Sequence, residues 1–249
     1  MDFKRRIPAL ALGSTVLAAT ALSGVVGVAA QDIEGEASYR VTIANLAAGQ
    51  PLTPPLVVLH GAEASLVESG APAGDGLQQL AENGNAEVLV EALTGAEGVG
   101  SVTVGAHPIV AGGIPGAAEV PSVATLEVSG PAEAGLISIA SMLICTNDGV
   151  SIVHDAPLPT EVGETATFFS NAYDAGTEVN TESFADLVPP CQGLVGVSGE
   201  AEGVGASNPE LAEGGVVAPH PGISGEADLD AMTHAAAANP ALVVVERIG

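Results

Sequence analysis

Acidic side chains in two short segments hold the chemistry this chain could perform. In "NAYDAGTEVNTE", residues 171–182, Asp174, Glu178 and Glu182 follow one another at a spacing of four. Acids at that spacing are solvated surface charges, one face of a short helix, or ligands of a metal. The Asp-Ala-Gly-Thr start reads as a turn, because an Asp side chain bonds its own backbone and Gly176 relaxes φ. It is not an EF-hand loop, since its sixth position is Val179 where that loop needs Gly. "CTNDG", residues 145–149, is a second acidic turn, with Asp148 before Gly149. Two acidic turns at one end of a β-sandwich would hold a hard, oxygen-seeking cation. On the residues alone, solvated turn acids remain the alternative.

Other chemistries find less to work with. No Gly-x-Ser-x-Gly elbow occurs. His154 and Asp155 are neighbours, which on a regular strand sends their side chains to opposite faces. His60, His107, His154, His220 and His234 are scattered with no pair at zinc-ligand spacing. The Gly-rich stretches follow neither the Walker nor the dinucleotide pattern and read as turns. A carboxylate pair for glycoside hydrolysis remains open in so acidic a chain. Carbohydrate sites also use aromatic platforms, however, and the chain has no Trp and only Tyr39 and Tyr173.

The elements that must position these acids are short strands. "SYRVTIAN" alternates, with Tyr39, Val41 and Ile43 on one face and Ser38, Arg40 and Thr42 on the other. The same period recurs in "VATLEVSG", "GLISIASMLI", "ETATFFSN" and "ALVVVERI". Gly/Pro clusters such as "QPLTPP", "AGGIPGAAEVP", "APLPTEVGE" and "VPPCQG" punctuate them. Many short strands so divided predict an all-β fold, an antiparallel β-sandwich with a few short helices in loops. "GLQQLAENG", "AEVLVEALTG" and "LDAMTHAAAAN" are the helical candidates, and "GEAEGVGASNPELAEGG", residues 199–215, reads as a long loop.

Residues 1–30 have the pattern of a signal peptide: Lys4, Arg5 and Arg6, a long apolar run, then Val28 and Ala30 before Gln31. Residues 31–38 read as a short linker, and 39–249 as one domain. Without residues 1–30 the 30 acids become 29 and the 5 bases become 2, a net charge of −27. An acidic surface almost free of Lys and Arg suits concentrated salt, where a Debye length of about 3 Å screens self-repulsion. The source is expected to be a salt-loving prokaryote. That charge argues against nucleic acid and polyanionic glycan as partners, and after signal removal no membrane insertion is expected. In an exported chain, Cys145 and Cys191 are expected to pair.

The two acidic segments also resemble those of the spondin N-terminal domain family, prokaryotic branch. "SMLICTNDGVSIV" followed by "YDAGTEVNTESF" has the order and approximate spacing of that family's hallmark segments. In animal members these run Met-Leu-x-Pro-Ser-Pro-Asp-Trp and Tyr-Asp-Ala-Gly-Thr-Asp. "YRVTIANL…QPLTPPLVVLHG" and "PHPGISGEADLD…NPALVVVERI" extend the resemblance from Tyr39 to Gly249. It implies a sandwich similar to C2 domains that binds calcium at one end. By motif, Asp148, Asp174 and Glu178 take the ligand positions, with Glu for Asp at 178. Gly149 stands where animal members have Trp. Glu182 matches no ligand and is expected to be solvated. The resulting expectation is an exported, non-enzymatic calcium-binding module that meets an extracellular or cell-surface protein. The alternative is a secreted hydrolase using a carboxylate pair.

Overall fold

Alternation in the first strand sets the molecule's first layer. The computed structural model describes residues 35–249; the expected signal peptide and residues 31–34 of the expected linker lie outside that range. Strand β1 (Glu36–Asn45) buries Ala37, Tyr39, Val41 and Ile43 and turns Ser38, Arg40 and Thr42 outward. It begins within the expected linker because Ala37 is part of the same buried row.

The remaining elements follow in chain order. They are β2 (Leu56–His60), α1 (Asp75–Asn83), α2 (Glu87–Leu93), β3 (Val99–Val104), a 3₁₀ turn at Pro115–Ala118 and β4 (Val123–Pro131). After these come β5 (Leu136–Met142), β6 (Gly149–Pro157), β7 (Thr165–Phe169), β8 (Asn171–Asp174), α3 (Pro190–Val195), β9 (Ala218–Pro219) and β10 (Ala241–Arg247). Four strands form one sheet in the order β4-β1-β10-β7, and six form another in the order β3-β2-β5-β6-β8-β9. Every pairing is antiparallel. The all-β sandwich expected from the alternation is the observed fold. No helix among the described residues is long and apolar enough to cross a membrane.

The core lies between the sheets, where Tyr39, Val41, Ile43, Val243 and Val245 meet Val57, Leu59, Ile137 and Ile139. The six-stranded sheet is covered on its other face too. There α1 and α2 set Leu77, Leu80, Ala81 and Leu89 on Leu56, Val58, Ala140, Val150 and Ile152. Burial on both faces removes the period-two signal from β2, whose five residues are all buried, and from the first half of β6. Helix α1 stops at Gly84, whose φ of 67° is left-handed; its N–H closes on the Leu80 carbonyl, and the Asn85 N–H on that of Gln79.

Two helical readings change. "VPPCQG" reads as a break, yet Pro190 starts α3, because a proline at the first helical position lacks only an N–H that would go unbonded. "LDAMTHAAAAN" forms no helix. The Asp230 carboxylate accepts from the N–H groups of Met232 and Thr233. The His234 carbonyl takes the Gln50 side chain at 2.8 Å. The local turn around Asp230 and the tertiary bond from Gln50 together outweigh the helical preference. The expected disulfide is formed between Cys145 and Cys191. It ties the turn after β5 to α3 inside a third cluster with Met142, Ile144, Phe184, Leu187 and Leu229.

Candidate metal centre

Strand pairing brings the two acidic turns together. Gly149 at the start of β6 is opposite Asp174 at the end of β8. Asp148 therefore enters, and Asp174 leaves, at the same end of adjacent strands. Asp174 Oδ1 accepts from the Gly176 N–H at 2.8 Å, the turn expected of Asp-Ala-Gly. Its Oδ2 accepts from Asn180 at 2.6 Å. Gly176 has a φ of +69°, and a Cβ there would lie 2.5 Å from the Val216 nitrogen, so this turn admits no side chain.

Asp148 is fully buried. Its Oδ2 accepts from the N–H groups of Thr177 at 2.7 Å and Glu178 at 3.1 Å, and from the Thr177 hydroxyl at 3.3 Å. Its Oδ1 has no hydrogen-bond partner. A buried acceptor left empty costs about 1–3 kcal/mol, more when charged, so such an atom calls for a ligand. The carboxylates of Asp148, Asp174 and Glu213 each offer an oxygen within 4.8 Å of the others. Three hard oxygen donors fit calcium, which takes further carbonyls and water in a flexible shell.

Glu213 is a member the sequence reading missed. It lies in the long aperiodic loop, and no spacing relates it to Asp148 or Asp174. The fold delivers it through backbone bonds: Val179 N–H to the Leu211 carbonyl at 2.8 Å, and Gly215 N–H to that of Gly176 at 2.7 Å. Glu178, expected as a ligand, is buried but is not one of the three grouped carboxylates. Its Oε1 accepts from the Asn208 N–H at 2.8 Å.

Glu182 corrects an expectation. It is buried, not solvated, with a left-handed φ of 54°. Its carboxylate accepts from the N–H groups of Ser224, Gly225 and Glu226. Burial pushes its pKa up, and those bonds more than reverse the effect, leaving it below the usual range. It anchors the 224–229 segment. Its partners lie more than forty residues on, and nothing at a spacing of four announces them.

His154 and Asp155 also depart from the regular-strand reading. The β5–β6 register shifts near Ile137, and Asp155 takes a φ of 47°. The bulge turns the two side chains together, with Nδ1 to Oδ2 at 3.4 Å. Ser138 Oγ meets His60 Nε2 at 2.8 Å and donates to Asp155 Oδ1 at 3.2 Å. This is not a catalytic triad. Ser138 is fully buried, and serine and carboxylate lie on the same ring nitrogen while Nδ1 faces the Gly61 carbonyl at 2.8 Å. The group fixes the bulge.

Burial and the neighbouring Asp174 push Asp148 up to about 6, against the bonds from Glu178 and Thr177. Burial pushes Glu178 up to about 7, against its bond from Asn208, with Glu82, Asp148 and Asp186 adding to the rise. Both groups hold a proton more tightly folded than unfolded. The stability they contribute is therefore complete below their unfolded values and is lost as pH rises through about 6 and 7. His220 and His234, which burial holds below the usual histidine range, work the other way and add stability as pH rises through that range. The carboxylate share is therefore read by difference: in chelator, Asp148→Asn should lose less melting temperature than wild type between roughly pH 5 and pH 8, and saturating calcium should flatten the wild-type curve. Differential scanning calorimetry across that range checks it; identical pH profiles for the two proteins contradict it. Compared with protein-family models and with curated proteins, the chain finds no match in either.

Proposed function

We propose that this chain is a calcium-binding β-sandwich that works outside the cytoplasm as an interaction module for an extracellular or cell-surface protein. The observation that carries the reading is the unpartnered Oδ1 of fully buried Asp148, with Asp174 and Glu213 beside it. Asp148 and Asp174 would hold the ion from the two sheet-anchored turns, and Glu213 from the long loop. Calcium would supply the positive charge that this end of the sandwich lacks, and so fix three loops against one another. The Cys145–Cys191 disulfide supports an oxidising compartment. The resemblance of the two acidic segments to spondin N-terminal domains supports both the metal and the module. The alternative, a hydrolase using a carboxylate pair, gains no support from Asp148, whose complete burial keeps it from a substrate bond.

The test is capture of a partner from cell-surface extract in concentrated salt, with calcium and with chelator. Wild type is expected to retain one protein in a calcium-dependent way, and Asp174→Asn to lose it. Retention that ignores both calcium and the substitution would refute a metal-dependent module.

A further inference from the structure

Beyond the Asp148 group, the same end of the molecule buries carboxylates that no protein cation balances. Asp148, Asp174, Glu178 and Glu82 are all buried. The described residues contain no lysine, and their arginines are Arg40 and Arg247. Both are engaged on the four-stranded sheet, Arg40 with Glu246 at 2.8 Å and Glu127 at 3.4 Å, and Arg247 with the carbonyls of Thr160 and Gly249. One divalent ion among Asp148, Asp174 and Glu213 leaves Glu178 and Glu82 uncompensated. A buried carboxylate without a partner is too costly to stay charged.

The end of α1 supplies the missing geometry. Glu82 is only 6% exposed; its Oε1 accepts from Gln78 at 2.8 Å, while its Oε2 is buried with no partner. The next residue, Asn83, also has a buried and unpartnered oxygen, Oδ1. Asn83 donates through Nδ2 to Ser207 at 2.9 Å, and the adjoining Asn208 N–H donates to Glu178 at 2.8 Å. The Ser207–Asn208 step therefore joins the helix end to the Glu178 carboxylate. The Glu82 carboxylate is among the neighbours whose charge pushes the pKa of Glu178 up.

We propose that Glu82, Asn83 and Glu178 form a second site for a hard divalent cation, between the end of α1 and the loop after β8. The donors are all oxygens, two carboxylates and an amide, which suits calcium over a softer metal. Half-buried Asp186, which also raises the pKa of Glu178, marks the rim. The site is separate from the three-carboxylate group and does not depend on the reading given above for it. Glu178, carried to the first site by motif, belongs to the second.

The experiment is equilibrium dialysis against radiolabelled calcium in about 2 M sodium chloride, where a Debye length near 2–3 Å suppresses diffuse binding. Wild type, Glu82→Gln and Asp174→Asn are compared. Two equivalents in wild type and one in each variant is the expected result. The equivalent kept by Glu82→Gln also reports that the variant is folded. One equivalent in wild type, lost in Asp174→Asn and kept in Glu82→Gln, overturns the second site and leaves the first standing. One equivalent lost in Glu82→Gln alone overturns the first and keeps the second. Equal binding by all three proteins, or none, overturns both.

Discussion

Replacing Cys145 and Cys191 together by alanine is expected to lower the unfolding free energy by about 4 kcal/mol. The bridge spans 46 residues, and the chain-entropy relation gives roughly that value for a loop of this length. The native state loses little of its own, because the sulfurs lie in an apolar cluster of Met142, Ile144, Phe184, Leu187 and Leu229 that small side chains can still enter. Calcium affinity is expected to weaken as well, since Asp148 is three residues beyond Cys145. Urea unfolding of the two proteins, with calcium held constant, measures the first effect. A difference below about 1 kcal/mol would mean that α3 and the turn after β5 are held by packing alone.

Asp148→Asn and Asp174→Asn are expected to abolish calcium-dependent stabilisation. An ion that binds the folded chain alone adds about 2.7 kcal/mol at a hundredfold excess over Kd, and extracellular calcium sites typically have Kd values of about 10⁻⁴–10⁻³ M. Without calcium, Asp148→Asn should be destabilised little, because the neutral amide no longer has to ionise in a buried place. Glu182→Gln is the control. It sits within the same acidic segment but bonds the backbone of residues 224–226. It should destabilise the fold with and without calcium alike, by about 1–3 kcal/mol, and leave the calcium increment intact. Melting curves of the three variants, each with calcium and with chelator, decide the matter. If all three lose the increment equally, calcium is acting by general screening.

How much of this was legible depends on which side chains face one way. β1, β4 and β10 have one face on the core and one toward solvent, so Tyr39, Val41 and Ile43 stand out against Arg40 and Thr42. β2 was hidden, because α1 and α2 bury its second face. Asp148 and Asp174 could be read because each sits in a turn with its own local chemistry beside glycine. Glu213 could not, since its place beside Asp148 and Asp174 exists only after the long loop has folded back. Glu182 shows the converse error. Matching no ligand of the resemblance, it reads as a surface charge, whereas its left-handed backbone and distant amide partners make it an anchor.

The four-stranded sheet has an order of events written into it. β1 pairs along its length with β10, Tyr39 facing Arg247 and Asn45 facing Ala241, and β10 in turn is the link to β7. A chain still being made therefore holds β1 and β4 as a ribbon with one edge of β1 unpaired until residues 241–247 arrive. Contacts between segments so far apart close slowly, since the loop entropy must be met before any of them forms. The four-stranded sheet should accordingly close only once β10 has been made. Until β10 docks, the exposed edge of β1 is open to pairing with other chains.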